Sequence, residues 1–432
     1  MREVVKIFMQ KLLSKNWLSF YALIFLFRIL LEISYINVVS PYFAYLGFKI
    51  DFNILNYLIS WGFFLVALTM VKDRITQVSD YFFITALLTV ITPLNVLYGY
   101  DQERSLIPVF STLFALLIIY SIVRIELISF KSLPTVKNGL SIVIWVSAIF
   151  VAFLVVWYYI SDVSLNLNFL RVYEFRAENS KLASGGILGY INNWTYKIFS
   201  MVLFAVALMY RRYIFALFIF LIQVFFFAAS AHKGVLFLPL LVFGIWYCFR
   251  KTNSLLIFPL ALSAVLLLTL LDFFFFDSLF ASSFFSRRLF FVPANLTFVY
   301  FDFFSSNPYV LWSNSVFSSF LSYPYEASMA KVIGGYLGNE KMGANNGFVA
   351  SGYAHAGFLG VFIYASIIGI LLKIINDMTY NVLPLWFAMS VSMAPLKSLL
   401  MSSDLFVVML THGFIVVLII IFLSRSIKYA QY

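Results

Sequence analysis

Apolar runs of about twenty residues, the length a helix needs to cross the hydrocarbon core of a bilayer, recur through this 432-residue chain between short polar breaks. They fall near 17–36, 53–71, 81–99, 106–124, 139–161, 190–210, 213–230, 234–249, 254–276, 357–375, 382–401 and 405–424. The pattern predicts about twelve transmembrane helices in a single membrane domain spanning 1–432. It also predicts an all-α fold, because lipid offers backbone N–H and C=O groups no partner and a helix satisfies them within its own segment. Ahead of the first run, Val5, Phe8, Met9, Leu12 and Leu13 share a helical face opposite Arg2, Lys6, Lys11 and Lys15. Residues 1–16 therefore read as an amphipathic helix lying on an anionic membrane surface. Two interruptions are long: 162–189, and 277–356 between the ninth and tenth helices.

Composition sharpens this picture. Hydrophobic residues make up 63% of the chain and charged ones 11%, with 52 Phe and a mean hydropathy of +0.97, which excludes an ordinary soluble domain. The excess of 29 Lys and Arg over 18 Asp and Glu is dispersed along the chain, as anchoring charges are, and nucleic acid is not an expected partner. Lys72 and Arg74, Arg124, Arg211 and Arg212, and Arg250 and Lys251 fall at alternate turns. The positive-inside rule then puts both termini in the cytoplasm and the two long loops on the outer face. The only cysteine is Cys248 and there are three histidines, far apart, so no intrachain disulfide and no metal-ligand spacing is expected.

Basic residues that remain outside need another reason. Arg171 and Arg176 stand in the first long loop, Lys233 in the turn after 230, and Arg287 and Arg288 between Phe doublets in the second. A guanidinium pairs bidentately with phosphate oxygens, so these cations are candidates for binding a pyrophosphate at the outer interface. Anchoring to lipid headgroups is the alternative. The Phe-rich tract 273–304 reads as backbone lying in that interface, with the Arg side chains reaching toward headgroups.

A glycine-rich run, 343–362, leads into the tenth span and carries Asn346, Tyr353 and His355. Glycines there permit close backbone approach. His355, at the outer end of a span, is a candidate general base at neutral pH, and Glu326 is a second outer-loop candidate. Arg28 and Glu32 are four apart and predicted to pair within the first helix. Lys197 and Lys397 lack such a local partner and are candidates for lining a polar cavity. His412 is expected to pack inside the last span.

Two of these stretches, RRLFFVPANLTFVYFDFF (287–304) and NNGFVASGYAHAGFLG (345–360), together with the many-span layout, resemble the Wzy-type O-antigen polymerases. The resemblance covers roughly 170–365. Where relatives often carry an acidic residue before the Tyr-Ala pair, this chain has Ser351 and Gly352, which moves the expected base to His355 or Glu326. The resemblance implies a GT-C-like membrane glycosyltransferase in the bacterial inner membrane, working at the periplasmic face without metal or cofactor. Its donor and acceptor would be oligosaccharides linked to undecaprenyl pyrophosphate, with membrane lipids around it and a chain-length regulator as a further partner. Arg176, Arg287, Arg288, Lys233 and Arg171 would hold pyrophosphate, and Tyr353 and Asn346 would touch sugar. An O-antigen ligase and a lipid-linked oligosaccharide flippase remain open alternatives.

Overall fold

The computed structural model describes residues 16–126, 129–161, 163–167, 186–230, 232–315 and 317–425. Among these the chain is helical, with strand-like pairing only at two isolated bridges, Asp51 with Asp101 and Arg74 with Ser254. Eight helices are long and apolar enough to cross a membrane: Trp17–Leu46, Val78–Tyr100, Ile107–Arg124, Gly139–Ile160, Tyr213–Ser230, Ile257–Phe276, Phe280–Ser306 and Phe348–Thr379. Four shorter apolar helices join them, Ile54–Leu68, Lys233–Phe249, Leu385–Met401 and Phe414–Ser424. The protein is therefore polytopic and membrane-embedded. Arg171, Arg176 and all but the last residue of the predicted surface helix 1–16 lie outside the described residues.

The chain forms two compact units. The first comprises Met1–Ile125, Asn253–Lys373 and Leu399–Leu405, and the second Glu126–Thr252, Ile374–Ser398 and Phe406–Tyr432.

Inside the first unit the predicted Arg28–Glu32 pair is present at 3.0 Å. Arg28 also donates to the Ser60 carbonyl and hydroxyl and lies 3.8 Å from the centre of the Trp61 ring. Glu32 accepts from Tyr57 and Tyr100. A buried charge is tolerated in hydrocarbon only when matched in this way.

Helices Trp17–Leu46 and Ile257–Phe276 run in the same direction. The Ser263 hydroxyl reaches the Leu23 carbonyl near the start of each, and Tyr42 meets Phe273 near the end. At that end the loops 47–53 and 101–106 are tied by backbone bonds from Asp51 to Tyr100 and from Gln102 to Asp51.

The Phe side chains of the tract 273–304 divide, with Phe274, Phe275, Phe276, Phe280 and Phe285 exposed and Phe290, Phe291, Phe298, Phe301 and Phe304 buried. Phe280–Ser306 turns back on Ile257–Phe276, with the hydroxyls of Ser282 and Ser286 both at Thr269, and it buries Phe290 and Phe291 completely. Phe290 packs on Phe27, midway along the first helix. Beyond it, Asn295 meets Leu46 and Arg104, and Phe298 lies under the Arg104 guanidinium. By length and composition this helix could cross a membrane, but its contacts return it to the end it started from. Both ends of this continuous helix contact the same end of the unit, and Phe290, Phe291, Phe298, Phe301 and Phe304 are buried among other helices, where apolar rings are shielded from water.

Phe348–Thr379 is two helices meeting at a corner. Ala356 and Gly357 leave helical geometry, with Gly357 at φ +59°. The two arms come so close that a Cβ on Gly360 would stand 1.9 Å from the Gly352 carbonyl oxygen. Only two glycines allow that contact.

The second unit contains Gly139–Ile160, a helix over 186–209, Tyr213–Ser230, Lys233–Phe249, the helix Leu385–Met401 as far as Ser398, and Phe414–Ser424. The predicted span 405–424 is broken into Leu405–Leu410 and Phe414–Ser424 by the turn 411–413.

The glycine corner is testable. Gly360→Ala should lower the thermal unfolding midpoint in detergent, since overpacking costs about 1–3 kcal/mol. Gly62→Ala, in a helix with nothing within 4 Å of the added carbon, should leave the midpoint unchanged or raise it slightly.

Candidate functional site at one end of the first unit

Arg287 and Arg288 sit on a π-helical stretch, Ser283–Phe291. The wider turn places an extra residue in the helix and re-aims the side chains, a device frequent at functional sites. The Arg287 guanidinium lies 4.4 Å from the centre of the Phe43 ring. Its Nη2 donates to the Ser283 hydroxyl at 2.9 Å, while its buried Nε has no hydrogen-bond partner among the described residues. No carboxylate pairs with Arg287 among the described residues. Arg288 is exposed, 5.7 Å from the Phe284 ring centre.

The contrast with Arg104 is informative. Its three nitrogens donate to Asp101, Asn295 and the Gly47 carbonyl, which makes it a tie between loops. Burial lowers its pKa, opposed by Tyr35 and Asp101. Arg287 has donors left over, and a phosphate group would fill them.

The two stretches that carry the family resemblance pack directly on each other. The Asn346 side-chain amide donates to the Pro293 carbonyl and the Thr297 hydroxyl. Tyr300 donates to the Ala344 carbonyl, and Tyr353 stacks on Phe301 with ring centres 3.9 Å apart. Asn346 and Tyr353 are thus buried, each 6% exposed, and engaged in this contact. The following loop is tied to the same helix by Tyr336, which donates to Asp302 at 2.6 Å. That hydrogen bond pushes the Tyr336 phenol above its ordinary range.

His355 ends the first arm of the corner and is 1% exposed. Its Nδ1 accepts the Trp312 backbone N–H at 3.1 Å, so the ring proton sits on Nε2, which donates to Asp404 Oδ2 at 3.1 Å. The Trp312 indole stacks on the imidazole, 5.2 Å between centres and 11° between planes. The indole N–H donates to the Tyr364 hydroxyl at 2.9 Å, and Tyr364 donates to Asp404 Oδ2 at 2.6 Å. Four side chains from three segments therefore form one network around a single carboxylate. As a base, His355 is not waiting in open space. Nδ1 is the acceptor atom, and Trp312 N–H occupies it until something displaces it.

The network is held by the loop that covers it. Val310 and Leu311 donate backbone N–H groups to the Ala354 and His355 carbonyls, which the end of the helical arm leaves without partners. Leu311 and Trp312 adopt φ of +48° and +56°, a conformation costly for side chains of this size.

The other expected residues lie elsewhere. Glu326 is exposed on the loop. Lys233 is the first residue of Lys233–Phe249 in the second unit. Lys397 is exposed on Leu385–Met401, also in the second unit. Asp404, Trp312 and Tyr364 went unremarked in the sequence. The short polar gap Ser402–Ser403–Asp404 between two apolar runs was the one available signal. No protein-family model, curated protein or solved structure matches the chain.

Asp404→Asn removes an acceptor and places an amide N–H or a lone pair against His355. It should lower thermal stability in detergent by about 1–3 kcal/mol, read as a shift in the unfolding midpoint. Tyr364→Phe, which leaves the His355 bond intact, should cost less.

Proposed function

We propose that the protein is a polymerase of lipid-linked oligosaccharides, an O-antigen polymerase of the Wzy type. The observation that carries the reading is the Arg287 guanidinium, left with unmatched donors and no carboxylate partner among the described residues; further along the same helix, Thr297 and Phe301 pack against the arm that ends in His355. The motif resemblance adds the substrate class.

In this reading the chain has a GT-C-like architecture of about twelve spans, with both termini cytoplasmic. It resides in the bacterial inner membrane, and the loops 162–189 and 277–356 face the periplasm. The donor is a growing glycan on undecaprenyl pyrophosphate, and the acceptor is a single lipid-linked repeat unit. The acceptor's terminal hydroxyl oxygen bonds to the donor's anomeric carbon as the bond from that carbon to the pyrophosphate oxygen breaks. Undecaprenyl pyrophosphate leaves with the electron pair, and the hydroxyl proton passes to a base.

Pyrophosphate is a good leaving group, so the main demand is for positive charge where its negative charge grows. Arg287 and Arg288 supply it. By analogy with oxyanion-hole donors each is worth roughly 10²–10³ in rate. His355 takes the proton on Nδ1 once the acceptor hydroxyl displaces the Trp312 N–H. Asp404, holding Nε2–H, keeps the ring in the tautomer that leaves Nδ1 basic. A positioned base contributes roughly 10²–10⁴.

The test is deletion of the gene in its own host, followed by lipopolysaccharide gels with wild-type or variant complementation. The expected outcome is loss of the ladder with core plus one repeat retained, restored by wild type but not by Arg287→Ala at normal protein abundance. Core alone would favour a ligase, a flippase or an earlier step. Full-length polymer from His355→Ala would remove the base assignment, and an unchanged ladder in the deletion would sink the reading.

A further inference from the structure

The second unit contains a cation that the proposed reaction does not use. We propose that Lys197, together with His412 and Asn193, forms a binding site for a phosphate group.

Lys197 lies within Thr195–Phe199, a π-helical turn inside the helix 186–209. Its ammonium is 2.8 Å from Asn193 Oδ1 and 2.8 Å from His412 Nδ1. Asn193 is fixed in the matching orientation because its amide nitrogen donates to the Gly189 carbonyl. An ammonium donating to both acceptors still has one N–H to give. Among the described residues Lys197 pairs with no carboxylate. It is also not sealed off: Lys197 and His412 are both half-buried.

The other half of the site is a built break. His412 stands in the turn 411–413, between Leu405–Leu410 and Phe414–Ser424. The Trp194 indole N–H holds the Leu410 carbonyl at 2.7 Å. Gly413 takes φ +72° with Trp194 and Ile198 pressed against it, so that a Cβ would stand 2.5 Å from Ile198 Cδ1. A π turn and a broken helix thus meet at one lysine, and this is how membrane proteins open a helix to hold an ion or a charged headgroup. The apolar surroundings decide which kind. An intramembrane ammonium calls for a partner; among the described residues no carboxylate supplies one, and the Asn193 and His412 acceptors carry no negative charge to cancel it. The group that fits is a phosphate or pyrophosphate, free or borne by a lipid. The inference does not depend on the reaction proposed above.

Chemical protection of the wild-type protein reads the site directly. Reductive methylation of the purified full-length chain, followed by peptide mass spectrometry, measures the reactivity of Lys197. Farnesyl pyrophosphate should slow its modification. Protection by inorganic pyrophosphate as well would mean that the phosphate group suffices, and protection by the prenyl form alone would mean a lipid-borne phosphate. Protection by neither would overturn the proposal. Binding of farnesyl pyrophosphate in an Arg287→Ala/Arg288→Ala background separates this site from the arginine pair. There Lys197→Met should weaken binding by roughly tenfold, the loss of one charge-assisted bond. Lys197→Arg, which keeps the charge, should stay within about threefold of its parent. Equal binding by Lys197→Met, or no binding in the background itself, would overturn it. Neither result bears on whether Arg287 serves glycan polymerisation.

Discussion

A helix that stops inside a membrane protein leaves carbonyls that no water can reach, and each must be met by a donor from elsewhere in the chain. The arm ending at His355 meets this constraint with a borrowed loop. Val310 and Leu311 close the carbonyls of Ala354 and His355, and the next N–H, from Trp312, closes the imidazole. The same three residues therefore cap a helix, fix a tautomer and cover a histidine. Leu311 and Trp312 are held at positive φ to do so, a strain of about 1–3 kcal/mol per residue that persists only where neighbours over-determine it. The corner at Ala356–Gly357 and the polar gap at Asp404 bring the remaining parts of the network within reach.

The arginines divide by how completely they are matched. Arg28 and Arg104 lie among carboxylates, carbonyls and rings, with all three guanidinium nitrogens of each hydrogen-bonded. Removing a partner from either would leave a buried charge uncompensated. Arg287 has one hydroxyl, one ring face and an unmatched Nε. That difference separates a tie from a candidate binding group, and sequence position does not reveal it.

The candidate binding residues of each unit stand at irregular helix geometry, although the π turns Tyr35–Val39 and Leu87–Ile91 carry none of them. In the first, the π stretch Ser283–Phe291 carries the arginine pair and the corner at 356–357 follows His355. In the second, the π turn Thr195–Phe199 carries Lys197 and the break 411–413 carries His412. A regular helix presents a closed backbone to its surroundings. Widening or breaking it frees peptide groups and moves a side chain out of register, and both are needed to hold something polar at depth.

Hydropathy determined a good deal without tertiary information. Each predicted span is helical over most of its length, because a twenty-residue apolar run in lipid has no other way to satisfy its backbone, and the Arg28–Glu32 pair follows from i,i+4 spacing alone. What hydropathy could not decide is what an apolar run packs against. The tract 273–304 reads as an interfacial segment, and only packing decides that Phe290, Phe291, Phe301 and Phe304 are buried among helices while Phe275, Phe276 and Phe280 stay exposed. The resemblance implies sugar contacts at Asn346 and Tyr353, and only packing shows that these side chains already meet Pro293, Thr297 and Phe301. His355 was legible as a candidate, but Asp404, forty-nine residues on, and Trp312, forty-three before, were not. A hydrogen bond between residues that distant is set by where helices end and fold back, and only the packed chain fixes that.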